Sequence, residues 1–345
     1  MKTPVAILGA TGAVGQHFLS LLVDHPDFEI VKLFASRPRP HIPATSWVAS
    51  LPPPADLERR PVETLSVGAV LASGAKAVFS ALPASVAGPL ERELVDAGVA
   101  VFTNASAHRM DPDVPILIPE VNAPHLDVCP PGRAPLVANS NCSASGLAVV
   151  LAALRPLGIR AVHVATYQSV SGAGYPGVPA IDIMGNVLPH IGKEDDKIVA
   201  ETKKMLGAFE GAAGAGARIV DHSMDVAAVA CRVHTAFGHL EAAFIEVEQP
   251  GDTASAVALL REFRGHEAAW GLRSSPARPI HVFDDPARPQ PKRDVMLGGG
   301  MVVSVGTVRR AGNTINLRLL VNNVVRGAAG GSVQNAELAR AQGRI

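Results

Sequence analysis

The chain opens with PVAILGATGAVGQHFLSLL at residues 4–22: a short apolar run, then Gly9, Gly12 and Gly15 at a three-residue period, then apolar residues at helical spacing. No other stretch limits the possible folds as strongly. A strand that passes through glycines straight into a helix aims the helix's unpaired N–H groups and positive dipole end at one point, and glycine lets the backbone approach a pyrophosphate there. A tight turn with no ligand is the other reading of the three glycines alone. Strand character returns at EIVKLFAS (29–36), which completes a βαβ unit.

AKAVFSALP (75–83), GVAVFTNAS (98–106) and PILIPEVN (115–122) add buried strand candidates, with the helix ASVAGPLERELVDAG (84–98) between the first two. The first part of the chain is therefore an α/β unit built on a Rossmann-type open parallel sheet. With 345 residues, the chain suits two domains of roughly 150 residues each. The stretch DVCPPGRAP (127–135) marks a crossing, since prolines neither continue a helix nor pair in a central strand. The expected division is 1–133 as a dinucleotide-binding domain, completed by a C-terminal helix over 323–345, and 134–322 as an α+β second domain. In the second part, IRAVHVATYQSVS, HSMDVAAVACRVHTA, HLEAAFIEVE and MVVSVGTVRRAGNTINLRLLVN read as long strands of a mostly antiparallel sheet, with helices near 194–206 and 252–264. AFEGAAGAGARIV (208–220) reads as a flexible loop.

Lys plus Arg and Asp plus Glu both total 31, so no global field draws the protein to nucleic acid or an anionic membrane, and any anion site must be local. No apolar run approaches the roughly 20 residues of a membrane span. The first residues enter the strand at once, with no room for a leader, and the expected location is cytoplasmic. Cys129, Cys142 and Cys231 are odd in number and lack CxxC spacing, which speaks against a disulfide framework or a zinc cluster. No metal is expected.

SNCSASGLAVVLAAL (140–154) sets Cys142 among Ser140, Asn141 and Ser143 at the start of a buried helix. A helix N-terminus lowers a thiol pKa, and small neighbours leave room for a substrate, so Cys142 is a candidate nucleophile. Cys129 and Cys231 fit structural roles, and a small buried hydrophobe remains the alternative for Cys142 itself. A thiol acting on a carbonyl needs a proton shuttle, and CRVHTAFGHLEAAF (231–244) offers His234 and His239, with Arg232 able to clamp a carboxylate. Gly238 permits a sharp turn that presents His239 into a cleft. After the second strand, Ser36, Arg37 and Arg39 occupy the place of the carboxylate that holds an NAD ribose. A hydroxyl and a cation suit a 2′-phosphate, so the cofactor expected is NADP; a solvated basic turn is the plainer reading.

These motifs, with RMDPDVPILIPEVN, YQSVSGAGYPGVPAIDIMGNVLPHI, KIVAETKKML, RVHTAFGHLE, RPQPKRD, GMVVSVGTVR and NNVVRGAAGGSVQNAEL in the same order, resemble the aspartate-semialdehyde dehydrogenase family, in particular its archaeal and fungal branch. The resemblance implies that 134–322 is a catalytic and dimerisation domain like that of glyceraldehyde-3-phosphate dehydrogenase. It implies that Cys142 forms a thioester, His239 is the general acid and base, and Gln168 orients the reacting group. Arg232 would bind the substrate α-carboxylate and Glu194 its amino group, while Arg109 and Lys197, with Asn141 beside them, would hold phosphate. The cofactor set expected is Gly9, Thr11, Gly12, Ala13, Val14, Gly15, Ser36, Arg37, Ser80, Leu82, Pro83, Ser171, Gly172 and Asn323. The partners implied are aspartyl 4-phosphate or aspartate 4-semialdehyde with phosphate, and a second copy of the chain in a homodimer or homotetramer.

Two places depart from the family pattern. RDVMLGGGM carries Gly299 where the family has an asparagine near the nicotinamide, and RVHT carries His234 where a proline is usual. A malonyl-CoA reductase or an N-acetyl-glutamyl-phosphate reductase would share fold and nucleophile, but Glu194 with Lys197 favours an amino-acid phosphate over a CoA thioester. A non-catalytic NADP-binding relative would need none of Cys142, Gln168, Arg232 and His239.

Overall fold

The computed structural model describes residues 1–212 and 216–345. β1 (Thr3–Leu8) runs into the glycine loop and α1 (Ala13–Leu22); β2 (Phe28–Ala35) and β3 (Val62–Thr64) lie on one side of it. α2 (Val67–Ala72), β4 (Ala77–Ser80), α3 (Ala84–Asp96), β5 (Ala100–Thr103) and β6 (Leu136–Ala138) complete the other side. This first sheet is wholly parallel, in the order β3-β2-β1-β4-β5-β6. Val5, Ala6, Ile7 and Leu8 are all fully buried, as expected of a central parallel strand covered on both faces. The order reverses between β1 and β4, so their carboxyl ends frame the crevice in which such sheets take ligands.

The last strand corrects two expectations. PILIPEVN is not a strand: Ile116 makes a single bridge to Ala138, and Pro119 opens the short helix α4 (Pro119–Asn122), since proline at a helix's first position gives up no hydrogen bond. The sixth strand is instead Leu136–Ala138, paired with β5. It lies beyond residue 133, so the proline-rich stretch precedes the end of the first sheet rather than dividing the two sheets.

From β6 the chain enters α5 (Cys142–Leu154) and the second sheet. Its members in chain order are β7 (Ile159–Gln168), β8 (Val187–Leu188), β11 (Asp225–Val233), β12 (His239–Gly251), β13 (Ile280–Val282) and β14 (Val303–Val321). They lie in the order β13-β14-β12-β7-β11-β8. The sheet is mixed rather than mostly antiparallel: β7 with β11 and β13 with β14 are parallel. Both connections are long crossovers, the first carrying α6 (Ala180–Ile183) and α7 (Glu194–Met205), the second α9 (Pro291–Asp294), and such lengths permit parallel pairing. α5, α7 and α8 (Thr253–Glu262) cover one face. On the other, Tyr167, Val229 and Phe244 are exposed. The expected loop over 208–220 proves to be partly paired: β9 (Ala208–Glu210) and β10 (Arg218–Val220) form an antiparallel hairpin, and 213–215 lie outside the described residues.

After β14 the chain returns to the first sheet through a π-helical turn, Val325–Ala329, and α10 (Gly330–Ala341). Ala329, Val333, Ala336, Leu338 and Ala339 join Val5, Ile7, Phe18, Phe79 and Phe102 in one core. The C-terminal helix therefore packs on the first sheet, with small residues permitting the close approach.

Candidate active site

α5 starts where β6 ends, and Asn141 caps it: its Oδ1 accepts from the N–H groups of Ser143 (2.9 Å) and Ala144 (3.1 Å). Cys142 is thereby the first helical residue. Gly327 in the π-helical turn presses against it; a Cβ on that glycine would lie 2.7 Å from the Cys142 Cβ. π-turns often occur at functional positions, and here one brings the end of the chain against the thiol.

β12 supplies the imidazole. Gly238, at φ +90°, turns the chain so that His239, fully buried, places Nε2 3.1 Å from the Cys142 Sγ. The Ser169 backbone N–H donates to Nδ1 (3.1 Å), so in the neutral ring the proton sits on Nε2, facing sulfur. Burial and the neighbouring Arg232 bring the His239 pKa down to about 3. The thiol goes the other way: burial, with Glu194 adding to it and Arg109 and Arg232 opposing, pushes Cys142 up to about 12. The lowered thiol pKa expected from the helix N-terminus is not found, because desolvation by the surrounding walls outweighs it. Thiol and imidazole rest as a neutral pair near pH 7.

The remaining candidates converge here. Gln168, at the end of β7, donates through Nε2 to Ser143 Oγ (3.1 Å), Thr166 Oγ1 (3.3 Å) and Glu194 Oε1 (3.2 Å), and its Oε1 faces Arg232 Nη1 at 3.4 Å. Arg232, on β11 and buried, also donates to the Ser169 carbonyl (2.9 Å). Glu194 opens α7, accepts from the Asn141 side chain, and lies 3.7 Å from Lys197 Nζ. Arg109 comes from the first domain and is buried against Glu201 (2.9 Å) and the Asn104 carbonyl (2.9 Å). Arg109, Asn141, Cys142, Glu194 and Lys197 wall a cavity of about 290 Å³ that extends to Ala13 and Val14 on the glycine loop.

Three contributors escaped the sequence reading. Glu201 pairs with Arg109 and also accepts the Asn141 N–H. Lys204 is buried and donates to the carbonyls of Arg109, Asp111 and Val114, fixing the loop that carries Arg109. Ser169 holds the imidazole. The signal for two of them was legible: Glu194, Lys197, Glu201 and Lys204 recur at helical spacing on α7, which marks one face. His234, by contrast, is exposed and lines a different, mostly apolar cavity of about 370 Å³.

The dinucleotide residues fit a bound cofactor at most positions. Gly9 has φ +79°, and a Cβ there would sit 2.7 Å from the Ala81 carbonyl oxygen; on Gly15 it would sit 2.1 Å from that of Gly9. Gly12 caps α1 with no side-chain bond, leaving the first-turn N–H groups to an anion. Thr11 and Leu82 are partly exposed at that crevice, and Pro83 opens α3 beside it. Ser36 and Arg37 follow β2 and are exposed. Ser171, Gly172 and Asn323 border the Cys142 cavity. Ser80 is the exception: its side chain is fully buried and faces Glu91, because the last residue of β4 points into the layer beneath α3. Asn323 spends its amide within the protein, on Gly238 N (2.8 Å), Ser169 Oγ (3.2 Å) and Ser171 Oγ (2.9 Å). Gly299 is exposed, and the segment before Met301 packs on Asn322 through Gly300.

Residues 4–128 match the family model "Semialdehyde dehydrogenase, NAD binding domain" and residues 151–326 match "Semialdehyde dehydrogenase, dimerisation domain". The chain belongs to the semialdehyde dehydrogenase family. Within that family it is 39% identical to an aspartate-semialdehyde dehydrogenase of Aspergillus fumigatus, covering 100% of this chain and 99% of the relative. It is 38% identical to one of Archaeoglobus fulgidus, covering 98% of each. The crystal structure of the Candida albicans aspartate-semialdehyde dehydrogenase with NADP superimposes with a TM-score of 0.87 at 34% identity over the whole of both chains.

Proposed function

We propose that this chain is an NADP-dependent, phosphorylating aspartate-semialdehyde dehydrogenase, interconverting L-aspartyl 4-phosphate and L-aspartate 4-semialdehyde through a thioester on Cys142. The observation that carries the reading is the 3.1 Å approach of His239 Nε2 to Cys142 Sγ, in a cavity whose wall bears Arg109, Lys197 and Glu194 together.

In the reductive direction the Cys142 sulfur attacks the acyl carbon: the S–C bond forms, the C–O bond to phosphate breaks, and the thiol proton leaves with the phosphate. Arg109 and Lys197 receive the departing dianion, so a chain without net charge offers positive potential only where it is needed. NADPH, when bound, supplies the hydride that takes the thioester to the aldehyde level. His239, with Nε2 facing sulfur, relays a proton from solvent to the thiolate as the aldehyde leaves, which completes the reduction. Arg232 takes the α-carboxylate, Glu194 the amino group, and Gln168 orients the acyl oxygen. Ser36 and Arg37, exposed beyond β2, support NADP over NAD. The glycines that admit no Cβ and the uncapped start of α1 would hold the pyrophosphate.

A CoA-thioester or N-acetylated substrate is not favoured, since Glu194 in the wall of the cavity answers a free ammonium. The exposed Tyr167, Val229 and Phe244 on the uncovered face of the second sheet support a homodimer formed there, and Phe244→Glu sedimenting as a monomer checks it. No helix among the described residues is long and apolar enough to cross a membrane, and no cluster there has the makings of a metal site. The deciding experiment is phosphate-dependent reduction of NADP by aspartate semialdehyde, in wild type and Cys142→Ala. Turnover in the first and none in the second is expected; turnover of malonyl-CoA by NADPH in its place would overturn the substrate assignment.

A further inference from the structure

Three segments meet at the Nδ1 edge of the His239 ring, away from the nitrogen that faces sulfur. β14 ends at Val321, which stands opposite His239 in the register, so Asn323, just beyond it, is carried to the turn that presents the imidazole. Gly238 makes that turn, and its N–H donates to Asn323 Oδ1 at 2.8 Å. The stretch after β7 closes on the ring from another direction. Ser169 N–H donates to Nδ1 at 3.1 Å, and a Cβ on Gly172 would lie 3.0 Å from the ring Cε1. Asn323, Ser169 and His239 are all buried.

Donor and acceptor roles in this cluster follow from the groups themselves. A backbone N–H can only donate, so the Asn323 oxygen faces Gly238 and its Nδ2 is left toward Ser171 Oγ, at 2.9 Å. The imidazole Nδ1 has one lone pair, and Ser169 N–H takes it. Ser169 Oγ lies 3.2 Å from both that nitrogen and Asn323 Oδ1. Only the oxygen has a lone pair to spare, so the hydroxyl donates there. Ser171 Oγ accepts from Asn323 and, 3.0 Å from Ser169 Oγ, passes its own proton on to it. The three side chains close a ring in which every donor runs the same way, so that each bond strengthens the next. Through Gly238 the ring holds the residue before His239, and through Ser169 the residue that holds Nδ1.

We propose that Asn323 is a positioning residue for His239: its Oδ1 joins the Gly238 turn to the Ser169 hydroxyl and so keeps the imidazole Nε2–H aimed at the Cys142 sulfur. The inference rests on Cys142 and His239 being the reacting pair. Asn323 borders the Cys142 cavity and belongs to the expected cofactor set, yet three of the four hydrogen-bonding sites of its amide are taken inside the protein, which leaves one N–H for a ligand. A thiolate at Cys142 gains a charge-assisted bond from Nε2–H, provided that the ring is held at its 3.1 Å distance. Asn323, Ser169 and Ser171 are uncharged. Loss of the brace therefore alters the aim of the ring and no charge beside it.

The test follows Cys142 alkylation by iodoacetamide across pH in the protein without dinucleotide, read at the Cys142 peptide, beside calorimetric titration with NADP. Asn323→Ala should slow alkylation at neutral pH by about fivefold and move its profile to higher pH, while the Kd for NADP stays within about threefold of wild type. In a His239→Ala background the same change should slow alkylation no further, because its effect passes through that ring. Ser169→Ala leaves the backbone N–H on Nδ1 and the Gly238 bond in place; it should slow alkylation by about threefold, and the double variant with Asn323→Ala should be no slower than Asn323→Ala alone. Wild-type alkylation in Asn323→Ala with weakened NADP binding would make Asn323 a cofactor residue alone and overturn the proposal. Equal slowing with and without His239, or additive losses in the double variant, would overturn it as well. If Asn323→Ala does not fold, Asn323→Ser, too short to reach both Gly238 and Ser169, is read by the same comparisons. Alkylation needs no substrate, so its outcome is independent of whether aspartate semialdehyde is turned over.

Discussion

Replacing Arg232 with lysine probes the carboxylate clamp with the charge retained. In the resting site Nη1 already donates to the Ser169 carbonyl at 2.9 Å and lies 3.4 Å from Gln168 Oε1, so one arm of the guanidinium is braced and the other is left for the substrate. Gly172 is what admits this arm, since a Cβ there would lie 2.7 Å from Nη1. Lysine keeps a point charge but cannot brace and bind together. One charge-assisted hydrogen bond is worth about 1.5–3 kcal/mol, so kcat/KM for aspartate semialdehyde should fall roughly 10- to 150-fold. The loss should appear in the KM for the semialdehyde, with kcat reduced only as far as Gln168 loosens, and the KM for phosphate should stay put. Initial rates of NADP reduction, varying one substrate at a time, separate these. A semialdehyde KM within twofold of wild type, or an equal rise in the phosphate KM, would show that Arg232 does not hold the carboxylate.

Other consequences follow from the same geometry. His239→Ala should lower kcat by roughly 10²- to 10⁴-fold, whereas His234→Ala, on an exposed residue that does not line the Cys142 cavity, should change it less than about twofold; the reverse order in steady-state assays would reassign the proton donor. Arg37→Ala should raise the KM for NADPH by about tenfold or more and leave NADH use unchanged, and equal effects on both cofactors would remove the 2′-phosphate contact. Burial lowers the pKa of His125 to about 4, while its Nε2 donates to the Gly207 carbonyl at 3.1 Å. Between pH 6.5 and 4 the unfolded chain binds a proton at this residue that the fold refuses, so its contribution to stability is full above about 6.5 and is lost as pH falls toward 4. Urea midpoints should drop over that range, and less steeply in His125→Gln; parallel curves would assign the loss to other groups.

The glycine loop, the helix behind Cys142 and the turn before His239 were legible because each rests on local chemistry: an unhindered turn, a cap and a positive φ. The strand Leu136–Ala138 was not, because three residues after a proline carry no periodicity and only pairing with β5 makes them a strand. Alternation misleads in β12 as well. Leu240 and Phe244 look like the core phase, yet His239, Glu241, Ala243, Ile245 and Val247 are the buried ones, since this strand lies beneath the reacting groups on one side and presents apolar residues on the other. Glu201 and Lys204 were visible as charges on a helix, but their partners, Arg109 and the loop behind it, lie some ninety residues away. The thiol pKa was misjudged for a related reason: a helix N-terminus can be read from a cap, whereas desolvation belongs to walls drawn from both domains.

Those walls also set an order of events during synthesis. Cys142 is closed in by Gly327, and the helix that follows is a layer of the core begun by Val5 and Ile7. A ribosome that has released the first 300 residues has made every group of the chemical pair, yet not the surface that shapes the pocket around it. The nucleophile is finished only when the last helix returns to the first strand, so the contacts that mature the site are among those of longest sequence separation in the chain, and slow closure of that ring should limit the appearance of activity after refolding.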